Sequence, residues 1–461
     1  MAPKLYGIPA SPPVRAVLMC AKVLGVELQL VPVNLLAFEN MEDSFLQKNP
    51  QHTVPLLEEE DGFCLADSHA IMAYLVSKYG KDDHLYPKDD HKKRAVIDHI
   101  LHFDSSILFV RGLYISKQLL FQEVQPTKQQ LDMLKEAFQI LDKILEKSQT
   151  QYVAGNNVTI ADFSIITSVT SWGFVESFQE FPNLKKYVEK FQKLPCYETN
   201  VEGLEMYKEV VVNGFRKIGI EFCPCVQNPF SPAPSVLPQL LTMPLKLYEA
   251  KVSPCVRSVM LTIEALGLKN VDFEAVDLFK GETETPEFQK INPLCKVPVL
   301  LDGDLTVWDS HAINAYLVNQ YGADDSLYPK NPAQRALVDA MNQFDTGFLF
   351  AAHDDLIKSI VTAPSPQPLN PYLAKPLEEA YDLLEVILEG RSYVAGAHLT
   401  IADFSIATTL SSSTSYLKLS VGKHQRIGTW YQKMQALPYW ERVNGEGLKK
   451  VLEVLGKKLI S

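Results

Sequence analysis

An aspartate–serine pair stands directly ahead of an apolar stretch at two places in the chain. The sequence DSHAIMAYLVSKYG occupies residues 67–80, and DSHAINAYLVNQYG occupies residues 309–322. Asp67 is a typical helix N-cap residue, and Gly80 is typical of the left-handed position just past a helix end. Free N–H groups, the Ser68 hydroxyl and the adjacent carboxylate can together bind both ends of a zwitterion. The same pattern is also typical of a well-capped core helix that binds no ligand.

Two further serines, Ser11 and Ser253, have a position suited to binding an anion. Each follows an apolar run and opens an amphipathic stretch, SPPVRAV in one case and SPCVRSV in the other. A proline in the first helical turn costs nothing, because its missing N–H would have no partner there. A seryl O–H beside a positive helix terminus favours an anion such as a thiolate. Ser-Pro is also a common way to begin a helix, so this spacing alone leaves the structural interpretation open.

A valine–proline pair precedes an apolar run in HTVPLL and again in CKVPVL. A cis Val54–Pro55 bond here would turn the Val54 backbone outward to pair with an extended peptide. Val297–Pro298 is the matching pair.

These motifs recur because the chain contains one unit twice. Residues 67 and 309 are 242 positions apart, and the YVAG-to-TIADFS segments that begin at Tyr152 and Tyr393 repeat with nearly the same offset. A fusion of duplicated genes is the simplest origin of this arrangement. We call the repeats copy one, about residues 1–220, and copy two, about residues 244–461.

Each copy divides into two parts. Short apolar runs alternate with amphipathic stretches over the first eighty or so residues, which predicts a mixed α/β unit with a hairpin that turns at Gly62 or Gly303. The remainder shows helical periodicity only, and TIADFS predicts a capping box at the start of one helix. The sequence therefore predicts an α/β domain followed by an all-α domain, twice. The expected boundaries are 1–82 and 91–220 in copy one, a proline-rich linker at 221–243, and 244–324 and 332–461 in copy two.

Composition excludes several kinds of partner. The net charge of −11 disfavours nucleic acid and anionic membranes, because neutralising phosphates needs clustered Lys and Arg. No run approaches eighteen apolar residues, and the N-terminus lacks the layout of a signal peptide, so we expect a cytoplasmic protein. The seven cysteines show neither C-x-x-C nor zinc-finger spacing, and we expect no metal site.

The motifs LYGIPASPPVRAV, NPQHTVPLL, DSHAIMAYLV and TIADFS resemble those of cytosolic glutathione S-transferases in both copies. The resemblance is strongest to the insect epsilon class, with the delta class as its neighbour. It implies a thioredoxin-like N-terminal domain that binds glutathione and a helical-bundle C-terminal domain that helps bind the electrophile. It also implies that glutathione is a co-substrate and that no metal or prosthetic group takes part.

The resemblance assigns roles to the motif residues. Ser11 and Ser253 would donate a hydrogen bond to the glutathione sulfur, and the thiolate so stabilised would attack a small apolar electrophile. The implied function is detoxification-type conjugation with two potential active sites per chain. Asp67 and Ser68, or Asp309 and Ser310, would bind the γ-glutamyl end, while Val54 and Pro55, or Val297 and Pro298, would pair with the cysteinyl unit.

Both copies depart from the family pattern at the glycyl end of glutathione. The family usually has a histidine where this chain has Asn40 and Thr283. His52 is a second glycyl-side residue and is retained in copy one, whereas copy two has Cys295 there with Lys296 beside it. Because lysine can still reach a carboxylate, binding by copy two would survive with altered affinity.

The electrophile is expected to bind between the two domains of each copy, lined by the first helix of the helical half. Side chains at helical spacing predict a mainly apolar wall in copy one, although core packing explains such a stripe equally well. Copy two has an acid, Asp354, in place of Leu113, so the two sites should differ in substrate preference. The candidate residues are Phe109, Leu113, Ser116, Leu120 and Phe121 in copy one and Phe350, Asp354 and Ile357 in copy two.

Two other functions remain open at this point. One is a ligand-binding or structural protein in which one or both copies are catalytically weak. The other is a thioltransferase built on Cys255, which is disfavoured because no second cysteine lies at C-x-x-C spacing. Family members normally form two-fold dimers, so we expect the two copies to pair within one chain as a pseudo-dimer.

Overall fold

The computed structural model describes residues 2–176, 178–218, 245–418 and 423–459. The chain forms two compact units, Met1–Gln239 and Leu240–Ser461, and each is described by itself. The predicted linker at residues 221–243 lies outside the described residues.

The first unit begins with strands and helices in alternation and continues with helices. Its elements are β1 (Lys4–Gly7), α1 (Pro12–Leu24), β2 (Gln29–Pro32), α2 (Asp43–Leu46), β3 (Leu56–Glu58), β4 (Cys64–Ala66), α3 (Ser68–Tyr79), α4 (His91–Phe103), α5 (Phe109–Phe121), α6 (Lys128–Ser148), α7 (Ile160–Trp172), α8 (Pro182–Phe191) and α9 (Glu198–Lys217).

The second unit repeats this order. Its elements are β5 (Leu245–Glu249), α10 (Pro254–Ala265), β6 (Val271–Ala275), α11 (Pro286–Ile291), β7 (Val299–Asp302), β8 (Leu305–Trp308), α12 (Ser310–Tyr321), α13 (Pro332–Phe344), α14 (Phe350–Val361), α15 (Pro371–Ile387), α16 (Ile401–Ser413), α17 (Gln425–Gln435) and α18 (Glu446–Leu455).

Each unit contains one four-stranded mixed sheet, in the order β2-β1-β3-β4 and β6-β5-β7-β8. The first two strands of each sheet are parallel, and the last two form an antiparallel hairpin. The hairpins turn at Gly62 and Gly303, which have φ of 85° and 62°. The predicted α/β plus all-α fold, present twice, is confirmed.

The register of the first sheet brings four chain segments to one edge. The parallel strands β1 and β2 end together, with Gly7 opposite Pro32. β3 begins at Leu56, which pairs with Tyr6 of β1 and with Ala66, the last residue of β4. The segments that follow β1, β2 and β4 and the segment that precedes β3 therefore share one end of the sheet.

The second sheet has the same arrangement. Glu249 and Ala275 end β5 and β6 opposite each other. Val299, the first residue of β7, pairs with Tyr248 and with Trp308 at the end of β8. Side chains carried on these four connections are thus gathered at one edge in each unit.

A buried arginine joins the sheet-bearing lobe of each unit to its helical lobe. Arg15 of α1 is fully buried and donates to the carbonyl oxygens of Ala10 and Thr167 and to the Ser171 hydroxyl. A buried guanidinium must have such partners, because an unpaired buried charge is strongly destabilising. Arg257 does the same in the second unit, where it donates to Ser411, Ser412 and Asn444.

The prediction that Gly80 adopts a left-handed conformation is wrong. Gly80 and its counterpart Gly322 are extended, with φ of −61° and −65°. A Cβ atom on Gly80 would lie 2.5 Å from the carbonyl oxygen of Val76 and 2.6 Å from that of Asp82. Glycine is needed there because the backbone approaches itself closely, and not because of its torsion angles.

The predicted capping boxes are present in both units. The backbone N–H and hydroxyl of Thr159 donate to one carboxylate oxygen of Asp162 over 2.8 and 3.0 Å. Thr400 and Asp403 make the same pair of bonds over 2.8 and 2.9 Å. Within the described ranges, no helix combines the length and apolar character that crossing a membrane requires.

Candidate active sites

The repeated aspartate caps the helix that follows it, as predicted. One carboxylate oxygen of Asp67 accepts the backbone N–H groups of His69 and Ala70 over 2.9 and 3.1 Å. The backbone of Asp67 has φ 77° and ψ 126°, and that of Asp309 has φ 73° and ψ 125°. Residues with a side chain seldom adopt such angles, and strain of this kind persists mainly at functional sites.

The serine after each aspartate is the first residue of its helix. Ser68 and Ser310 are buried at the N-termini of α3 and α12. Their hydroxyls therefore lie beside the free N–H groups of a helix end, where an anion is stabilised.

Ser11 adopts N-cap geometry, but its hydroxyl makes no capping bond to α1. Its backbone accounts for the turn instead, because its N–H donates to Ile8 and its carbonyl accepts from Arg15. The Ser253 hydroxyl accepts from the N–H of Val256 over a long 3.5 Å. Helix capping therefore accounts in part for the serine at position 253. The Ser11 hydroxyl takes no part in capping and is available to a ligand.

The loop before β3 is held by a buried asparagine. Asn49 is 2% exposed, donates to the Thr53 carbonyl over 2.9 Å and accepts from the Gln51 N–H over 3.1 Å. Asn292 holds the matching loop by donating to the Lys296 carbonyl over 2.8 Å. Neither asparagine was predicted from the sequence, although the Asn-Pro pair that begins each loop is repeated.

The expected cis bond is found at Val54–Pro55 and also at Val297–Pro298. In the first unit the paired ladder of β3 begins at Leu56, so Val54 lies outside it. In each unit the valine thus lies at the same edge of the sheet as the serine and the aspartate of that unit.

Two of the predicted glycyl-side residues meet in copy one. Asn40 lies in a short helical turn, Glu39–Met41, and donates to the carbonyl of His52 over 2.7 Å. His52 has φ 46°, and Cys295 at the matching position has φ 54°. In copy two Thr283 is buried and Lys296 is exposed.

A buried histidine follows each aspartate–serine pair and was also missed by the sequence analysis. Nε2 of His69 bonds to the Ser164 hydroxyl over 2.7 Å, and that hydroxyl donates to Asp104. Burial lowers the pKa of His69, but the bond with Asp104 and the nearby Asp67 charge outweigh it, so the pKa is raised. The third residue of the repeated DSH motif was the signal for this position.

The histidine of copy two contacts its acids directly. Nε2 of His311 lies 3.0 Å from Asp345, and Nδ1 lies 3.3 Å from Asp309. Burial opposes the charge, yet the two carboxylates raise the pKa of His311 to about 10. At neutral pH a cation therefore lies against Asp309.

The predicted electrophile residues of copy one do not all face one surface. Phe109, Leu113 and Leu120 are partly buried, and Phe121 is 47% exposed. Ser116 is buried, and its hydroxyl bonds to Tyr207 of α9 over 2.8 Å. The structure thus places Ser116 in the packing between α5 and α9.

In copy two the corresponding helix carries polar groups. Asp354 forms an ion pair with Lys358 at 2.5 Å, and Phe350 lies 6.0 Å from the ring of His353. Burial lowers the pKa of His353 to about 4, so this residue is neutral near pH 7. Ile357, the third predicted residue, is partly buried.

Cys255 occupies the first turn of α10, and its thiol contacts the Ser310 hydroxyl. Burial raises the pKa of the Cys255 thiol to about 12, and the nearby carboxylates of Asp345 and Asp309 reinforce this. Only the thiolate is nucleophilic, so this cysteine is poorly suited to thiol–disulfide exchange.

We expect iodoacetamide at pH 7.5 to alkylate Cys255 at least about 100-fold more slowly in the folded chain than in the urea-unfolded chain. Peptide mass spectrometry over a time course measures this, with the unfolded chain as the matched reference. Rapid labelling of Cys255 in the folded protein would contradict the raised pKa.

Comparison with known proteins identifies the family. A model described as "Glutathione S-transferase, N-terminal domain" matches residues 5–83, another of the same description matches 243–319, and a C-terminal domain model matches 113–196. Glutathione S-transferase 1 of Manduca sexta is 34% identical over 222 residues, which are 47% of this chain and 100% of that protein. The chain belongs to the glutathione S-transferase family.

Other relatives agree with this assignment. Glutathione S-transferase D7 of Anopheles gambiae is 39% identical over 196 residues, which are 41% of this chain and 86% of that protein. The structure of an epsilon-class glutathione S-transferase from the housefly, Musca domestica, is 38% identical in sequence. The match covers 47% of this chain and 100% of the housefly chain, with a TM-score of 0.45. The two N-terminal domain matches, at residues 5–83 and 243–319, fit a tandem fusion of two glutathione S-transferase units in one chain.

Proposed function

We propose that each copy conjugates glutathione to small apolar electrophiles, so that the chain carries two active sites. One observation supports this above all. In each unit the connections that carry the serine, the valine–proline pair and the aspartate–serine pair meet at the same edge of the sheet. Three groups suited to the sulfur, the backbone and the zwitterionic end of one small peptide are thereby gathered in one place.

In this proposal glutathione binds as an extended peptide. The ammonium of the γ-glutamyl unit contacts Asp67, while its carboxylate contacts Ser68 and the N-terminus of α3. The Val54 backbone pairs with the cysteinyl unit. Asn40 and His52 lie together at the glycyl end, where the second carboxylate would bind.

The chemical step needs a sulfur anion. The Ser11 hydroxyl donates a hydrogen bond to the sulfur, which favours the thiolate over the thiol and lowers the pKa of the bound thiol. The released proton passes to solvent. The thiolate then forms a bond to the electrophilic carbon, and the leaving group departs with its bonding electron pair.

A second candidate function concerns copy two alone, which would bind glutathione with weak turnover. The Ser253 hydroxyl is partly used in capping α10, and Cys295 replaces the glycyl-side histidine. Nδ1 of His311 also contacts the Asp309 carboxylate, so the ligand ammonium would share that carboxylate with the histidine. Each of these features weakens a contact that copy one retains.

Titration with glutathione in a calorimeter tests whether there are two sites. We expect two equivalents to bind per chain, and we expect Asp67→Ala or Asp309→Ala to weaken one of them about 10- to 100-fold. The reason is that a hydrogen bond to a charged group contributes about 1.5–3 kcal/mol.

Asp43→Ala, which removes an exposed acid of the same lobe, is the matched control and should leave both equivalents in place. A single equivalent that is insensitive to Asp309→Ala would remove copy two from the proposal. No binding at all would overturn it for both copies. Pairing of the two copies and a cytoplasmic location stay predictions.

A further inference from the structure

Phe38 has a backbone conformation that a bulky residue seldom adopts. Its φ is 59° and its ψ is 27°, in the left-handed region, within the loop between β2 and α2. Copy two has Gly281 at the matching position, with φ 69° and ψ 26°. Glycine makes this turn without strain, so the phenylalanine of copy one is not there for the turn.

The ring of Phe38 reaches from the sheet-bearing lobe to the helical lobe of its unit. It lies 5.8 Å from the ring of Phe121, the last residue of α5, at an interplanar angle of 43°. Phe38 is 58% exposed and Phe121 is 47% exposed, so the contact lies outside the buried core. At the two matching positions copy two has Gly281 and Thr362, neither of which is aromatic.

This aromatic pair stands close to the glutathione-binding edge. The loop of Phe38 leaves β2 where the sheet gathers its functional segments, and Asn40, two residues on, bonds to His52. Leu36 and Met41 of the same loop are 55% and 47% exposed. An apolar surface that includes two aromatic rings thus lies on the loop that carries Asn40 and on the end of α5.

We propose that Phe38 and Phe121 form an aromatic wall that selects electrophiles carrying a planar aromatic group in copy one. This inference rests on the proposed conjugation of glutathione. Aromatic rings attract one another in offset or tilted arrangements beyond the effect of buried area, so a flat substrate ring gains a contact that a small aliphatic substrate does not. Copy two lacks the wall and has no such preference.

The test uses the full chain carrying Ser253→Ala, so that turnover comes from copy one. Phe38→Gly and Phe121→Thr each introduce the residue that copy two has. We expect kcat/KM for 1-chloro-2,4-dinitrobenzene to fall about three- to tenfold, the size of one aromatic contact. For methyl iodide kcat/KM should change by less than about twofold, and KM for glutathione should stay the same.

Two controls exclude simpler causes. Phe279→Ala removes an exposed ring from the corresponding loop of copy two and should change neither electrophile's rate. Phe38→Gly should melt at or above the parent temperature, because glycine suits the left-handed angles. Equal losses for both electrophiles, or a change confined to the KM for glutathione, would overturn the inference.

Product binding separates this inference from the catalytic proposal. The dissociation constant of S-(2,4-dinitrophenyl)glutathione should rise about three- to tenfold in Phe38→Gly, while that of S-methylglutathione should not change. This comparison requires no turnover. If the parent chain has no conjugating activity but Phe38→Gly still weakens binding of the dinitrophenyl product alone, the conjugation proposal is refuted and the aromatic wall is supported. Equal weakening of both products would refute the aromatic wall.

Discussion

Replacing Ser11 by alanine in a chain that already carries Ser253→Ala is expected to lower the rate of glutathione conjugation about 10- to 100-fold. The Ser11 hydroxyl is the group that the fold leaves uncommitted at the head of α1. A hydrogen bond to a charged acceptor contributes about 1.5–3 kcal/mol, and each 1.4 kcal/mol is a factor of ten. Its loss acts on the thiolate, which is the reacting species.

The pH profile distinguishes this role from a purely structural one. Without the Ser11 hydrogen bond the pKa of the bound thiol rises by about one to two units, because one unit corresponds to 1.36 kcal/mol. The rise of kcat with pH in the double variant should therefore move to higher pH than in Ser253→Ala alone. Stopped-flow titration of the bound thiolate measures the same shift directly.

Two comparisons make this result decisive. The single variants report what each copy contributes, since the wild-type rate should equal the sum of the two. Ser77→Ala, which removes a hydroxyl that donates to the Ala73 carbonyl within α3, serves as a matched control and should leave the rate unchanged. A double variant that turns over as fast as the wild type would show that neither serine acts on the sulfur.

The sequence alone was enough to predict the parts of the site that depend on local signals. Asp67, Ser11 and Val54 each stand next to a strand or at the head of a helix, and such positions are visible in hydrophobic periodicity. Each of these patterns occurs in both copies, and this repetition distinguishes a motif with fixed spacing from an ordinary helix cap. Parallel pairing and a hairpin then require these positions to meet at one edge.

The features that were missed depend on residues far away in sequence. Ser116 is buried by Tyr207, and the charge of His311 depends on Asp345. No periodicity within a short window contains such information, because tertiary packing decides which face of a helix is covered.

The strained backbone angles of Asp67 and Phe38 could not be predicted from the sequence either. Both residue types give no sign of a left-handed or otherwise unusual backbone, and only comparison with Gly281 marks Phe38 as exceptional. These strained positions flank the proposed glutathione and electrophile sites. Such strain is tolerated where the surroundings hold it and function benefits from it.

The largest loss of stability is expected from Asp403→Ala. Asp403 is fully buried and accepts hydrogen bonds from the backbone of Val394, from Thr400 and from the indole N–H of Trp430 over 2.9 Å. Alanine leaves these donors without a partner in the core. We expect the free energy of unfolding to fall by about 3–5 kcal/mol, because each buried donor left without a partner costs about 1–3 kcal/mol. Asp162→Ala should cost less, because Asp162 accepts from Val153 and Thr159 without an indole donor.

Urea unfolding followed by circular dichroism measures both losses, and the asparagine variants supply the pH test. Burial raises the pKa of Asp162 and of Asp403 to about 6, although their hydrogen bonds lower it. A carboxyl whose pKa is higher in the folded state than in the unfolded state loses stability as pH rises between the two values. The stability of the wild type relative to Asp403→Asn should therefore fall between about pH 4 and pH 6 and stay constant above. A relative stability that rises below about pH 4 and is constant from pH 4 to pH 6 would mean that the hydrogen bonds outweigh burial, and that the cap is held as a carboxylate throughout this window.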